Sequence, residues 1–209
     1  MIGTEGEARE FVSERCSSES LKRLDQLVNE LIDENSRQNL VAGSSLEQVW
    51  LRHIADSAQL LCWVCEPRGV WMDLGAGAGF PGLVIAAMLP QQPVILVESR
   101  KRRIDWLERV ALELSLDNCR VEGRRLEQVE PLEAGVISAR AFAPLDRLLR
   151  LSARFSTSAT QWVLPKGRSA EQEVQELPRR YRRMFHVEQS LTEAGAGIIV
   201  GKGKWKGST

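Results

Sequence analysis

Apolar residues recur along this chain in two rhythms. From Ser20 to Ile32 they fall at Leu21, Leu24, Leu27, Val28, Leu31 and Ile32, the three-and-four spacing of one helical face. Gly43-Ser44-Ser45 breaks that rhythm, and Leu46 to Trp63 resumes it through Val49, Trp50, Ile54 and Leu60-Leu61. Lys101 to Ser115 repeats it with Ile104, Leu107, Val110, Ala111 and Leu114. The second rhythm is the short continuous run. Val70-Trp71-Met72 and Pro93-Val94-Ile95-Leu96-Val97 read as buried parallel strands. Further short strands are expected at 119–122, 134–138, 160–164, 183–187 and 196–200. Strands alternating with helices predict an α/β fold with a doubly wound, mostly parallel sheet. Pro67-Arg68-Gly69 reads as a hinge. Residues 1–66 are therefore expected to form a helical extension and 67–209 the sheet-bearing domain.

Composition narrows the setting. The 209 residues are 43% hydrophobic, enough for a substantial core, and no stretch approaches the length of an apolar membrane span. The start, Met1-Ile2-Gly3-Thr4-Glu5, is polar and acidic, unlike a targeting signal, so a cytoplasmic protein, expected as a monomer, is the reading. Cys62-Trp63-Val64-Cys65 is a lone CxxC in an apolar helical stretch. Without a second pair, and with two histidines in the chain, it reads as buried thiols, and no metal site is expected. The formal charge is zero but uneven: residues 1–70 hold seven Lys/Arg against twelve Asp/Glu, and residues 140–209 hold thirteen against six. Basic clusters at 100–103, 124–125, 166/168, 179–183 and 202–206 are individually ordinary solvated faces. Together they suit a one-sided surface for phosphate backbones.

The strongest chemical signal is Asp73-Leu-Gly-Ala-Gly-Ala-Gly-Phe-Pro-Gly82, set between a strand and the apolar run Leu83 to Met88. Glycines 75, 77 and 79 expose backbone N–H groups with no Cβ in the way, so a ligand can lie against the main chain. The dinucleotide pattern Gly-x-Gly-x-x-Gly fits only from Gly77, which places Pro81 inside the turn. Asp73, two residues before the first glycine, would repel a pyrophosphate and attract a cationic ligand such as S-adenosylmethionine. Glu98, at the end of the second strand and 23 residues after Gly75, has the spacing of an acid that accepts from ribose hydroxyls. That feature serves NAD and S-adenosylmethionine alike.

Acid-x-Gly-x-Gly-x-Gly resembles the loop of class I, Rossmann-like S-adenosylmethionine-dependent methyltransferases. Five stretches together resemble one family within them, the bacterial 16S ribosomal RNA guanine-N7 methyltransferases (RsmG, or GidB). They are Asn39-Leu40, Arg52-His53-Ile54-Ala55-Asp56-Ser57, Asp73 to Gly82, Ile137 to Ala143, and Lys166-Gly167. Val41 stands where that family usually has threonine, and an extra alanine precedes Arg140. The resemblance implies a cofactor site of Asp73, Gly75, Gly77, Gly79, Phe80, Glu98, Leu126, Glu127 and Arg140. It implies S-adenosylmethionine as methyl donor, and 16S rRNA, within the small subunit or an assembly intermediate, as partner. Arg140 would sit at cofactor and target base, and Lys166 would meet RNA phosphate. Lys101, Arg102, Arg125 and Arg168 are further candidates for RNA contact.

His53 is a second candidate catalytic residue. Guanine N7 has an in-plane lone pair and no proton, so transfer to it needs positioning rather than a base, and a structural part for His53 fits better. Two other classes stay open. An NAD-dependent oxidoreductase shares the glycine loop and ribose acid, and a non-catalytic RNA-binding module could keep the fold.

Overall fold

In the computed structural model, which describes residues 1–206, the apolar runs assemble into one sheet. Seven strands, β1 (Val70–Leu74), β2 (Val94–Val97), β3 (Cys119–Glu122), β4 (Ala134–Ser138), β5 (Gln161–Lys166), β6 (Phe185–Gln189) and β7 (Gly197–Lys202), lie in the order β3-β2-β1-β4-β5-β7-β6. The pairs among β1 to β5 are parallel, and β7 runs antiparallel to both neighbours. Strand order reverses between β2-β1 and β1-β4, which opens a crevice at the carboxyl ends of β1 and β4. The central strands β1 and β2 are buried on both faces, as continuous apolar runs require.

The helices are α1 (Glu5–Ser13), α2 (Ser18–Asn35), α3 (Gly43–Leu46), α4 (Asp56–Ala58), α5 (Gly82–Met88), α6 (Lys101–Glu113), α7 (Leu145–Ser152), α8 (Ala170–Gln175) and α9 (Arg179–Arg182). Apolar rhythm misses α1, which opens on a local signal instead. The Thr4 hydroxyl accepts from Glu7 N–H while Glu7 accepts from Thr4 N–H, a reciprocal capping box. Leu24, Leu27 and Leu31 of α2 join the same core cluster as Val84 of α5 and Leu107 of α6, so the N-terminal helices share one face of the sheet. A second cluster, with Met72, Ile137, Leu148, Phe155 and Trp162, fills the other. The last three residues of the expected 67–209 domain lie outside the described residues.

Two expectations need correction. Residues 46–63 are not one helix: Gly43–Leu46 is itself a helical turn, and Trp50–Ala55 is a widened π turn, followed by α4 and a 3-10 turn over Gln59–Trp63. The break falls where the Glu5 carboxylate reaches over from α1 to accept from Trp50 and Leu51 N–H groups, at 3.1 and 2.7 Å. Cys62 and Cys65 are exposed, not buried, because that final turn runs out along the surface. Among the described residues no helix is long and apolar enough to cross a membrane.

Gly82 carries the close approach that joins the glycine loop to the sheet. A Cβ there would stand 2.1 Å from Leu96 Cδ2 and 2.9 Å from Asp73 Oδ2. Gly82→Ala is expected to cost about 2 kcal/mol or more by overpacking, read as a lower urea midpoint at unchanged slope.

Candidate active site

The site begins at the end of β1. Asp73 is fully buried, and its two oxygens are committed: Oδ1 accepts from Ser138 Oγ on β4 (2.8 Å) and Oδ2 from Gly82 N–H at the start of α5 (3.0 Å). Trp71 Nε1 donates to the same Ser138 hydroxyl at 2.9 Å. Burial pushes the Asp73 carboxyl up to about 6, although Ser138, Gly82 and Arg140 pull the other way. Both Asp73 oxygens are thus engaged within the protein, by β4 and by the start of α5. Asp73 lies beneath the loop and shapes it, lining none of the cavities around the site.

Above it lies a cavity of about 320 Å³ whose lining includes Gly75, Glu98, Leu126, Ala141 and Phe142. Gly75 has φ +68°, and a Cβ there would meet the Phe142 ring at 2.4 Å. The loop is thus a cradle that only glycine leaves open. Glu98 Oε2 accepts from Gly77 N–H (3.0 Å), and Oε1 accepts from Ser99 and Arg100 N–H groups (2.7 and 2.9 Å). Burial alone would raise the Glu98 pKa, but Arg100, through its N–H and its guanidinium, and the Ser99 N–H hold it below the usual carboxylate range. A charged acceptor at the cavity wall, a glycine floor and the apolar Leu126 fit the ribose, chain and adenine of S-adenosylmethionine. Glu127, by contrast, points to solvent, and Phe80 is buried. Gly77 and Gly79 shape the turn, at φ +58° and +102°.

Phe80 instead joins the second half of the site. Its ring stacks on His53 at 5.0 Å between centroids, and the Arg140 guanidinium lies 5.3 Å from its ring centroid. Arg140 contacts three acceptors at long range: Arg52 O and Asp56 Oδ2 at 3.4 Å, and His53 Nδ1 at 3.3 Å. A nitrogen facing guanidinium N–H must be an acceptor, so His53 carries its proton on Nε2 and donates it to Ser45 Oγ at 2.9 Å. Ser45 in turn donates to Ala42 O. Burial, then Arg140 and Arg52, lower the His53 pKa to about 3. The ring thus stays neutral, with both nitrogens engaged between Ser45 and Arg140 and its face against Phe80.

His53 and Arg140 face a second cavity of about 490 Å³, lined also by Asp56, Lys166 and Thr192. Lys166 is mostly buried, donating to Glu173 Oε2 and Ala143 O at 2.8 Å. Ala141 lines both cavities and has φ +52°, strained for a residue with a Cβ. A third, open groove of about 840 Å³ runs from Arg100 past Lys101, Arg102, Arg103 and Arg37. Lys101 also pairs with Asp105, and Arg102 donates to Arg37 O. Arg125 and Arg168 are exposed away from these two cavities and the groove. Sequence reasoning did not single out Asp56, Arg100, Ser138 or Phe142 as site residues. Of these, Asp56, Ser138 and Phe142 lay inside stretches that carried the resemblance.

Strand order, the glycine loop after β1 and the acid after β2 define a class I S-adenosylmethionine-dependent methyltransferase fold. Two solved structures agree. One is a SAM-dependent methyltransferase from Aquifex aeolicus (14% identity, TM-score 0.57, 80% of this chain and 96% of that one). The other is an RNA methyltransferase from Salinibacter ruber in complex with S-adenosyl-L-homocysteine (13%, TM-score 0.54, 73% and 92%). The family model for GidB, rRNA small subunit methyltransferase G, matches residues 20–198. The ribosomal RNA small subunit methyltransferase G of Erythrobacter litoralis is 60% identical over 206 residues, covering 99% of this chain and all of that protein. The chain belongs to this rRNA small subunit methyltransferase G family.

Two outcomes follow from this geometry. Gly75→Val should weaken S-adenosylhomocysteine binding at least about 100-fold by calorimetry, since the branched side chain fills the cradle. For His53, the unfolded state takes up a proton below about 6.5 while the native ring does not, so its contribution to stability falls as pH drops. Between pH 7 and 5 that loss is about 2 kcal/mol. Asp73 works in the opposite sense, gaining a native proton near 6. The His53 share is therefore read as the difference in pH slope between wild type and His53→Gln in urea titrations.

Proposed function

We propose that this chain transfers a methyl group from S-adenosylmethionine to N7 of a guanine in 16S ribosomal RNA. The observation that carries the reading is that Ala141 lines both cavities, with the glycine cradle lining one and Arg140 the other. When bound, S-adenosylmethionine supplies the methyl: its S–CH3 bond breaks as the N7–C bond forms, and the positive charge passes from sulfur to purine. Gly75, Glu98 and Leu126 would hold the cofactor. Phe80 and His53 hold Arg140 next to Ala141, where its guanidinium can face guanine O6 or a cofactor carboxylate. No residue has to remove a proton, so orientation of the reacting atoms is the main catalytic contribution.

The RNA backbone is taken up, on this reading, by the groove from Arg37 to Lys101 and Arg102. It adjoins the cofactor cavity through Arg100, which lines both. Arg103 supports it from below: it donates to Asn39 O, and its Nη1 is buried with no hydrogen-bond partner among the described residues. Arg125 and Arg168, exposed elsewhere, would extend the positive surface. Residues 1–66 act as an extension supplying the walls around His53, and the remainder as the cofactor-binding domain. The setting is cytoplasmic, the enzyme monomeric, and the substrate rRNA lies in the small subunit or its assembly intermediate.

Small subunits lacking the modification, incubated with enzyme and labelled S-adenosylmethionine, should yield 7-methylguanine at a single mapped nucleotide; label on another atom or no label would overturn the reading. Arg140→Ala should lower kcat about 100-fold while its thermal midpoint falls by only a few degrees.

A further inference from the structure

We infer that Asp56 reads the Watson–Crick edge of the target guanine, accepting its N1–H and 2-amino protons inside the 490 Å³ cavity. The inference rests on the methyl-transfer reading above. Asp56 stands on the short helix α4, and its side chain is 21% exposed, toward the cavity it lines. Its orientation is set by one partner in the next turn and one from the far end of the chain. Oδ1 accepts from Gln59 Nε2 at 2.8 Å and from Thr192 Oγ1 at 2.7 Å. Gln59 is fully buried and Thr192 nearly so, and Gln59 also accepts from Leu191 N–H at 2.7 Å. This buried polar cluster locks the β6–β7 loop onto the N-terminal helices and fixes the plane of the carboxylate.

The other oxygen is held far less tightly. Oδ2 has the Arg140 guanidinium at 3.4 Å, longer than the usual charge-assisted bond, which leaves acceptor capacity facing the cavity. The remaining carboxylate on the lining, Glu193, is half-exposed and tied to Arg52 at 3.2 Å. Asp56 is thus the rigid acceptor of the two.

The chemistry of that acceptor selects its ligand. Guanine presents two adjacent donors, N1–H and the 2-amino group, matched to a carboxylate. Adenine places the N1 lone pair at the same point, so a carboxylate rejects it. Held by this edge, guanine keeps N7 free of protein contact. Positive charge arriving on the purine makes N1–H a stronger donor, so the contact tightens as the methyl is transferred, when binding counts toward rate.

The test compares wild type with Asp56→Asn on modification-free small subunits carrying either guanine or inosine at the mapped nucleotide; inosine lacks the 2-amino group. Asparagine should lower kcat/KM on guanine by roughly 10- to 100-fold. On inosine, where wild type has already lost one bond, that penalty should shrink at least about threefold. Calorimetric binding of S-adenosylhomocysteine reports that the variant is folded. If it is not, Thr192→Val, which removes one restraint and keeps the charge, should show a smaller penalty that also shrinks on inosine. An equal penalty on both bases would make Asp56 a positioning residue for Arg140 and overturn the inference alone. No transfer by wild type to guanine would overturn the methyl-transfer reading, and this inference with it.

Discussion

The buried carboxylate of Asp73 is the point on which the site's geometry depends. It gathers three separate elements: β1, which carries it; β4, through Ser138; and the start of α5, through Gly82. A carboxylate removed from water is costly unless its oxygens are satisfied. Here the satisfying donors are the groups whose positions define the glycine loop. Its placement at the first turn of α5 also sets negative charge against the positive end of that helix. The loop is therefore held from below, leaving its upper surface of bare backbone for a ligand.

A second set of interactions joins the N-terminal helices to this frame. Phe80 leaves the loop to stack on His53, which holds Arg140, which faces Asp56. Asp56 reaches on through Thr192 to the β6–β7 loop. The acceptor cavity is consequently built from both ends of the chain, while the cofactor cavity is built from the sheet's own switch point. That division matches a common demand on methyltransferases: one half of the site binds an invariant cofactor, and the other must fit a particular acceptor.

Much of this was legible in the residues. The apolar runs placed the strands to within a few positions, because a strand buried on both faces has no alternative to continuous β-branched and aliphatic residues. The glycine loop and Glu98 were legible because their chemistry is local: a turn without Cβ atoms, and an acid at a strand end. The stretch from Arg52 to Ser57 was singled out as a unit, yet its π turn was not visible. The turn depends on the Glu5 carboxylate accepting from the Trp50 and Leu51 N–H groups, a contact across more than forty residues. Cys62 and Cys65 were misread for a similar reason, since helical periodicity assumes a helix that continues.

The sequence by itself determined the backbone class, the place of the cofactor loop and the family, because each is written in short-range spacing or in motifs. Only the tertiary structure decided which way the charged side chains face. Asp73 turns inward to Ser138 and Gly82, Lys166 is paired with Glu173, and His53 lies between Ser45 and Arg140. The physical reason is that a side chain's partner, and with it its charge state and availability, is set by residues tens of positions away whose proximity no local pattern encodes.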